Sequence, residues 1–280
     1  MLLGLRNVVK SWLLALALAA VLALLGWALG GVRLLSVFVF CALLLAAGAY
    51  WTFDRAVLGM IGARELPLAE APLLHSTVER LAARAGIATP RLYLIPDGLP
   101  IAASTGRGLR SSAIAVSRGC ISACTPAELE GVLAHELAHV RLRDVQVQTA
   151  ATVAAAVLLE ASRLGGWLER ALLVVLGPVA AACVHLLVSP KREFAADRLA
   201  ARLCDSPHGL ADALLRLEHA AELVEFAASP ASEPLFTINP FAERGLGALF
   251  ATHPPVDERV RRLRALDPAW RERLRSDLAA

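Results

Sequence analysis

The chain has 280 residues, of which 57% are hydrophobic, and a net charge of +3 at pH 7. Its mean hydropathy of +0.57 is well above that of ordinary soluble domains, and the apolar residues occur in blocks. The small charge and the absence of basic runs interleaved with aromatic residues argue against nucleic-acid binding. Composition therefore favours an integral membrane protein.

Two uncharged blocks near the N-terminus, Ser11–Val32 and Leu34–Phe53, are separated only by Arg33. The first has 22 residues, and a helix of that length, rising about 1.5 Å per residue, would cross the roughly 30 Å hydrocarbon layer. We predict a transmembrane hairpin. A cleaved signal peptide with Arg6 and Lys10 as its charged start is the alternative, but the block is too long and a second block follows at once.

Two later apolar segments, Val145–Leu159 and Ala171–Pro190, predict a second hairpin. A membrane-embedded or interfacial course for the first arm is the alternative. Basic residues cluster on one side of the predicted spans, which favours a cytoplasmic location for that side. They are Arg6, Lys10, Arg55, Arg64, Arg141, Arg143, Lys191 and Arg192, against Arg33, Arg163 and Arg170 on the other side.

The region between the hairpins has the mixed pattern of a folded domain. Glu70–Ala85 alternates apolar and polar residues at helical spacing. Arg91–Ile95 and Ser112–Ser117 predict short strands, separated by a turn signal at Pro96–Gly98 and by the glycines at 106 and 108. We expect a small sheet beside helices.

The stretch TPAELEGVLAHELAHV begins with a helix-start signature. Thr125 stands at the N-cap, Pro126 at the first helical position and Glu128 where a capping box requires it. On this helix His135 and His139 are four residues apart, so their side chains project from one side and can share a metal ion. The predicted helix therefore places two imidazoles where a metal site needs them.

Glu136 follows the first of these histidines and completes an HExxH pattern. In a zinc site of this kind the metal acidifies a water molecule and polarises the scissile carbonyl, while the glutamate accepts the proton and passes it to the leaving amine. Chance is the alternative, because about one chain in a hundred of this composition would contain the pattern. A third ligand is needed to support the site.

The stretch SPKREFAADRLAARLC supplies the best candidate, with Glu193 and Asp197 four residues apart on one helix face. Glu193 could bind zinc, and Asp197 could accept the ring N–H of a ligand histidine and so fix its tautomer. The alternative is a solvated acidic face. Its partners would be Lys191, Arg192 and Arg198.

The cysteines contain no close CxxC pair and are odd in number, which argues against a disulfide framework or a thiolate zinc site. We predict that they are small buried hydrophobic residues in a reducing compartment. They are Cys41, Cys120, Cys124, Cys183 and Cys204.

Three blocks, GVLAHELAHVRLRD, SPKREFAADRLAA and LFATHPPVDERVRRLRAL, resemble in content and order the HtpX family of membrane-bound zinc endopeptidases, relatives of the CAAX prenyl endopeptidases. The resemblance covers nearly the whole chain. It implies one zinc ion per chain and Glu136 as the catalytic base. The zinc ligands that it implies are His135, His139 and Glu193.

The same resemblance gives a role to the sequence THPP. It implies His253 as a donor to the oxyanion of the tetrahedral intermediate, with Arg259 as a second candidate. From the residues alone, His253 could instead simply precede a helix that starts at Pro254–Pro255.

One segment departs from the family pattern, which usually has an Asn-Ala-Phe-Ala-like edge strand that pairs with the substrate backbone. The matching positions here, before Thr105–Gly106, are Ile101, Ala102, Ala103 and Ser104. Strand pairing uses main-chain groups and is compatible with these residues. The missing Asn side chain and the smaller Ala103 bear on substrate affinity and specificity.

The predicted fold is a mainly α integral membrane protein, with transmembrane helical hairpins and a zincin-like α+β catalytic domain with a small sheet. Residues 1–60 and 145–188 form the hairpins, and residues 61–144 and 189–280 form the two parts of the catalytic domain. The resemblance implies a multi-pass protein of the bacterial inner membrane, with its catalytic domain in the cytoplasm. Its partners would be the lipid bilayer and polypeptide substrates, in quality control of misfolded or damaged membrane proteins.

Three other functions are open at this point. A zinc-binding membrane scaffold with weak or lost peptidase activity is supported by the altered segment 101–104 and opposed by the intact Glu136. A prenyl-protein protease would need more spans than this chain supplies. An intramembrane protease is opposed by the charges around the HExxH motif, because charged residues are costly at membrane depth. They are Glu128, Glu130, Arg141, Arg143 and Asp144.

Overall fold

The structure, a computed structural model, describes residues 54–163, 189–221, 235–237 and 253–267, with scattered positions in 20–52 and 174–185 and at 269. Within these ranges helices surround a four-stranded sheet, which confirms the predicted domain of helices with a small sheet. Residues 54–60 are helical. The helices that follow them are α1 (Pro72–Ala85), α2 (Arg118–Ala123), α3 (Pro126–Leu142), α4 (Asp144–Arg163), α5 (Pro190–Leu203), α6 (His208–Ala221) and α7 (Val256–Arg264).

The strands are β1 (Arg64–Glu65), β2 (Arg91–Ile95), β3 (Ala102–Gly108) and β4 (Ser111–Ser117), in the order β1-β2-β4-β3. Strand β2 is parallel to β4 and β3 is antiparallel to it, so β3 forms one edge of the sheet. The two predicted strands are confirmed, the second starting one residue earlier than expected. The prediction that the glycines at 106 and 108 separate the strands is wrong. Both glycines lie within β3, where their φ values of 148° and 147° accompany an irregular register with β4.

Helix α3, which carries the HExxH motif, starts with the predicted capping box. The Thr125 hydroxyl accepts the N–H of Glu128 at 3.3 Å, and the Glu128 carboxylate accepts the N–H of Thr125 at 2.7 Å. Arg216 of α6 donates to the same carboxylate at 3.0 Å. The helix ends at Arg143, whose φ of 61° is left-handed, and α4 begins at the next residue. Both ends of α3 are therefore fixed by local interactions.

The position of α3 depends on a close approach to α6. A Cβ atom at Gly131 of α3 would lie 2.5 Å from the backbone nitrogen of Leu210. On the facing side, a Cβ atom at Gly209 would lie 2.3 Å from the carbonyl oxygen of Ala127. Two glycines thus let the backbones of the two helices meet. Gly131 lies one helical turn before His135, and the segment that approaches there is α6.

Among the helices of the described residues, none is both long and apolar enough to cross a lipid bilayer. Most of the predicted hairpin of residues 11–53, and half of the predicted arm 171–190, lie outside the described residues. In the second hairpin, Val147, Ala151 and Ala155 of α4 pack against Ala180 and Val184 of the other arm. The division into four segments stays a prediction.

Three of the five cysteines lie within the described residues, and none of these three forms a disulfide. Cys120 is buried in the main core, and Cys124 and Cys204 are partly buried against it. These three positions fit the prediction of small hydrophobic residues, whereas Cys41 and Cys183 lie outside the described residues.

The Gly131→Ala variant should be less stable than the wild type, because the new methyl group would collide with the backbone of α6. Overpacking costs roughly 1–3 kcal/mol, and each kcal/mol lowers the melting temperature by about 2–4 °C in a domain of roughly this size. Gly59→Ala is the matched control, since that helical glycine has open space around it. A melting temperature for Gly131→Ala equal to that of the control would contradict the close approach.

Candidate metal centre

Three side chains from α3 and α5 bring their ligand atoms together at the centre of the domain. His135 Nε2 lies 3.1 Å from His139 Nε2. Glu193 Oε2 lies 3.4 Å from His135 Nε2, and Glu193 Oε1 lies 3.5 Å from His139 Nε2. Two nitrogens about 2.05 Å from one tetrahedral zinc ion would be about 3.3 Å apart, so these separations suit a common metal ion. Within the described ranges, this is the one cluster of such residues that could hold a metal.

Asp197 contacts the imidazole of His135 on its Nδ1 side, away from the Nε2 atom that faces the cluster. Its Oδ1 lies 3.0 Å from His135 Nδ1, and a carboxylate can only accept there, so Nδ1 carries the proton and Nε2 is left to bind a metal. Arg259 of α7 holds Asp197 in a two-point ion pair, with Nη2 at 2.8 Å and Nε at 3.0 Å. The structure thus brings Asp197 to Nδ1 of His135, and its role in fixing the tautomer stays a prediction.

Asp144 orients His139 in the same way, and the sequence had not indicated it. Its Oδ2 lies 3.2 Å from His139 Nδ1. Arg192 donates from Nε to Asp144 Oδ1 at 2.8 Å and from Nη2 to the Asp144 carbonyl at 2.9 Å. Because Arg192 pairs with Asp144, and because Glu193 and Asp197 are buried, the alternative of a solvated acidic face is wrong.

Glu136 lies beside the cluster and is 1% exposed. Its Oε1 accepts a hydrogen bond from the hydroxyl of Thr237 at 2.8 Å. Its Oε2 is buried and has no hydrogen-bond partner among the described residues. Oε1 is therefore fixed by a hydrogen bond, and Oε2 can still accept a hydrogen bond or a proton.

The structure also brings His253 and Arg259 to this centre. His253 Nε2 lies 3.8 Å from Glu193 Oε2, and Arg259 Nη2 lies 3.7 Å from the same oxygen. The Arg259 guanidinium is fully buried, and besides Asp197 it donates from Nη1 to the carbonyl of Thr237 at 2.5 Å. His253 lies three residues before α7, so it precedes a helix and also reaches the cluster. An oxyanion role for either residue stays a prediction.

The pKa shifts show that the centre favours the charged forms of its ionisable groups. Burial on its own would lower the pKa of His139, but the carboxylates of Glu193 and Asp144 outweigh burial and raise that pKa to about 10. Burial would raise the pKa of Glu193, but the charges of His139 and His253 hold it well below its usual range. Burial would also raise the pKa of Asp197, but the positive charge of Arg259 outweighs burial and lowers that pKa to about 2. Protons and a metal cation compete for such a set of ligands.

The buried charges fit a divalent cation. The buried carboxylates at the centre belong to Glu136, Asp144, Glu193 and Asp197, and the buried guanidinium groups belong to Arg192 and Arg259. With neutral imidazoles, the four carboxylates exceed the two guanidinium groups by two charges, which a divalent ion would neutralise. Glu193 Oε2 is also buried without a hydrogen-bond partner among the described residues, as a ligand oxygen would be. Histidine nitrogens with one carboxylate are typical of catalytic zinc.

The predicted cleft residues lie next to this centre, at the edge of the sheet. Ala102, Ala103 and Ser104 belong to β3, Ile101 precedes it, and all four are buried. Part of this edge is covered by residues 235–237 of the same chain, because Phe236 forms an antiparallel bridge with Ala103. Their role in binding a substrate stays a prediction.

Comparisons with known proteins point to a family of proteases. A family profile described as Peptidase family M48 matches residues 68–267. A protein named Protease HtpX homolog from Pelotomaculum thermopropionicum is 38% identical over 278 residues, which cover 93% of this chain and 99% of its own length. Its namesake from Acidiphilium cryptum is 40% identical over 281 residues, which cover 92% of this chain and 96% of that protein. Another, from Pyrococcus abyssi, is 36% identical over 284 residues, which cover 94% and 97%.

Among solved structures, the crystal structure of S. mikatae Ste24p is similar at 20% sequence identity, with a TM-score of 0.49. The alignment covers 94% of this chain and 66% of that one. The family profile and the relatives together confirm the resemblance to HtpX proteases that the three sequence blocks indicated.

The Asp144→Ala variant should bind zinc about 10- to 100-fold more weakly, which is the usual effect of removing a carboxylate behind a ligand histidine. Competition with a chelator on the purified protein measures the dissociation constant. Asp267→Ala is the matched control, since Asp267 lies 3.0 Å from His208 in a partly buried pair outside the centre. Wild-type affinity in Asp144→Ala would mean that Asp144 does not orient the ligand.

Proposed function

We propose, on the premise that this chain belongs to peptidase family M48, that it is a membrane-bound zinc endopeptidase. Membership makes it a metallopeptidase. The observation that carries the finer proposal is the buried cluster of His135, His139 and Glu193, with the carboxylate of Glu136 beside it. Peptide-bond hydrolysis needs a Lewis acid and a base in one place, and this cluster provides both.

The proposed zinc ligands are His135, His139 and Glu193, leaving a fourth position for water or substrate. Bound there, zinc supplies acidification of a water molecule and polarisation of the scissile carbonyl. Asp197 and Asp144 keep the two imidazoles in the tautomer whose Nε2 binds the metal.

Glu136 is the proposed general base. Its Oε2 accepts a proton from the attacking water and then donates that proton to the leaving amine, while its Oε1 remains hydrogen-bonded to Thr237. Burial strengthens this role, because excluded water cannot compete for the proton and local charges act more strongly.

His253 is the proposed donor to the oxyanion that forms at the scissile carbonyl, since its ring reaches the cluster at Glu193. Arg259 is the second candidate, since three of its five N–H groups donate to Asp197 and the Thr237 carbonyl and its Nη2 lies 3.3 Å from His135 Nε2. It also supplies a fixed positive charge beside the site and holds Asp197.

We place the protein in a membrane on the strength of its uncharged blocks and of the contact between the two arms of the second hairpin. His135 and Glu193 lie 3.4 Å apart, so both ends of the segment between them are on one side of the membrane. Charge favours the cytoplasmic side of a bacterial inner membrane. Misfolded or damaged membrane proteins are the proposed substrates, with strand pairing along β3 beyond the part that residues 235–237 cover.

The Glu136→Ala variant should lose hydrolysis of an unfolded protein substrate while keeping wild-type zinc content, because the base is removed and the ligands remain. Detergent-purified protein loaded with zinc is assayed beside the wild type, and zinc is counted on the same samples. Removal of zinc with a chelator should abolish wild-type cleavage, and added zinc should restore it.

Glu193→Ala is the contrasting variant in this assay, since it should lose zinc and activity together. If wild-type protein holds one zinc ion and cleaves nothing, the peptidase proposal fails and the zinc-binding scaffold takes its place. If Glu136→Ala loses zinc, its carboxylate belongs to the metal site and is not the base.

Single cysteines introduced at Asp97 and Asp205, in a variant without native cysteines, should react with a membrane-impermeant thiol reagent only after the cells are opened. A cysteine at Gly166, in the predicted outer loop, should react in intact cells. Labelling of Asp97→Cys or Asp205→Cys in intact cells would overturn the cytoplasmic location.

A further inference from the structure

Residues 235–237 lie along the free side of strand β3, where sheet pairing and packing fix their backbone. Phe236 forms an antiparallel bridge with Ala103, and the N–H of Thr237 donates to the carbonyl of Ala102 at 3.1 Å. Leu235 and Phe236 are each 2% exposed and belong to a hydrophobic cluster. The amide side of Thr237 is thus held in place.

The carbonyl side of Thr237 is held as firmly. Arg259 Nη1 donates to the Thr237 oxygen at 2.5 Å, and the guanidinium cannot turn away because Asp197 binds it at 2.8 Å and 3.0 Å. With both of its peptide groups restrained, Thr237 has its side chain directed by the backbone.

The hydroxyl of Thr237 has two acceptors within reach. Glu136 Oε1 lies at 2.8 Å and the Ala102 carbonyl oxygen at 3.4 Å, so the shorter contact to the carboxylate is the better hydrogen bond. Both oxygens act here as acceptors, so the hydroxyl donates its single proton to the nearer one, Glu136 Oε1. It occupies Oε1 and leaves Oε2 without a partner among the described residues.

We infer that Thr237 is a positioning residue for Glu136, whose hydroxyl fixes Oε1 so that Oε2 is the oxygen that takes the proton of the attacking water. The inference rests on the proposed peptidase function. A glutamate side chain turns about three bonds, and a fixed oxygen removes most of that freedom before the reaction. Misplacement of a reacting group by about 1 Å can cost roughly 100-fold in rate.

Thr237→Val tests this directly, because valine keeps the shape and the backbone contacts and removes only the hydroxyl. Its kcat should fall about 10- to 100-fold, with KM changed less than about threefold and zinc content unchanged. Thr237→Ser should recover most of the activity. Thr149→Val is the matched control, since its buried hydroxyl lies 3.0 Å from that of Thr105 and does not touch the centre.

Three results would overturn the inference while the wild type cleaves its substrate. The first is a wild-type kcat in Thr237→Val. The second is an effect of this variant on KM alone. The third is a Thr237→Ser variant as slow as Thr237→Val, since shape rather than the hydroxyl would then matter. Failure of the wild type itself to cleave is a different result and overturns the proposed function.

A double-mutant cycle on thermal unfolding supplies a readout without catalysis. Thr237→Val should lower the unfolding midpoint by about 2–4 °C in the wild-type background and by much less in the Glu136→Ala background, where the acceptor is gone. Thr149→Val should lower it equally in both backgrounds. Equal losses for Thr237→Val in the two backgrounds would show that the hydroxyl does not bind Glu136 and would overturn the inference.

Discussion

The buried guanidinium group of Arg259 is the charge on which the arrangement of the whole centre depends. A buried cation is tolerated only when acceptors surround it, and here they are both oxygens of Asp197 and the carbonyl of Thr237. Asp197 in turn orients His135, and Thr237 contacts Glu136. A single side chain of α7 therefore connects a histidine of α3, a carboxylate of α5 and the segment beside β3. Removing it would leave Asp197 buried without its counter-charge, which is far more costly than losing a surface ion pair.

The two histidines are supported in the same way by different parts of the chain. His135 meets Asp197, which meets Arg259, and His139 meets Asp144, which meets Arg192. Each imidazole presents its Nδ1 to a carboxylate, so both Nε2 atoms are on the side where Glu193 lies. The imidazoles are therefore oriented by contacts within the protein. Because these side chains are already ordered, metal binding would cost less conformational entropy. The fixed side chains also restrict the coordination geometries that a metal ion could adopt there.

Local patterns in the sequence predicted what depends on local structure. The capping box, the helical spacing of the histidines and the acidic pair of α5 follow from residues close together in the chain, and the structure contains all three. Asp144 could not be found this way: on a continuous helix a residue five positions after His139 points about 140° away from it. The left-handed conformation of Arg143 breaks the helix and returns Asp144 to the histidine.

The contact between Thr237 and Glu136 also could not be predicted from the sequence. It depends on one isolated bridge between residues 235–237 and β3, and no periodic pattern of residues indicates such a bridge. Apolar length alone predicted the membrane spans, and about half of those residues lie outside the described part of the chain.

The order in which the centre is assembled along the chain has a consequence for biosynthesis. Arg259 follows His135 by 124 residues, so the ribosome releases the histidine pair long before the arginine that completes its surroundings. Domains fold as units once their sequence has emerged, and until then this chain has the HExxH motif without the contacts that hold it. An unfinished copy is itself an unfolded polypeptide and so resembles the substrates proposed for the mature protein. In the proposed peptidase, late completion of the centre would withhold activity from a nascent chain, which could then cut neither itself nor its neighbours on the same messenger.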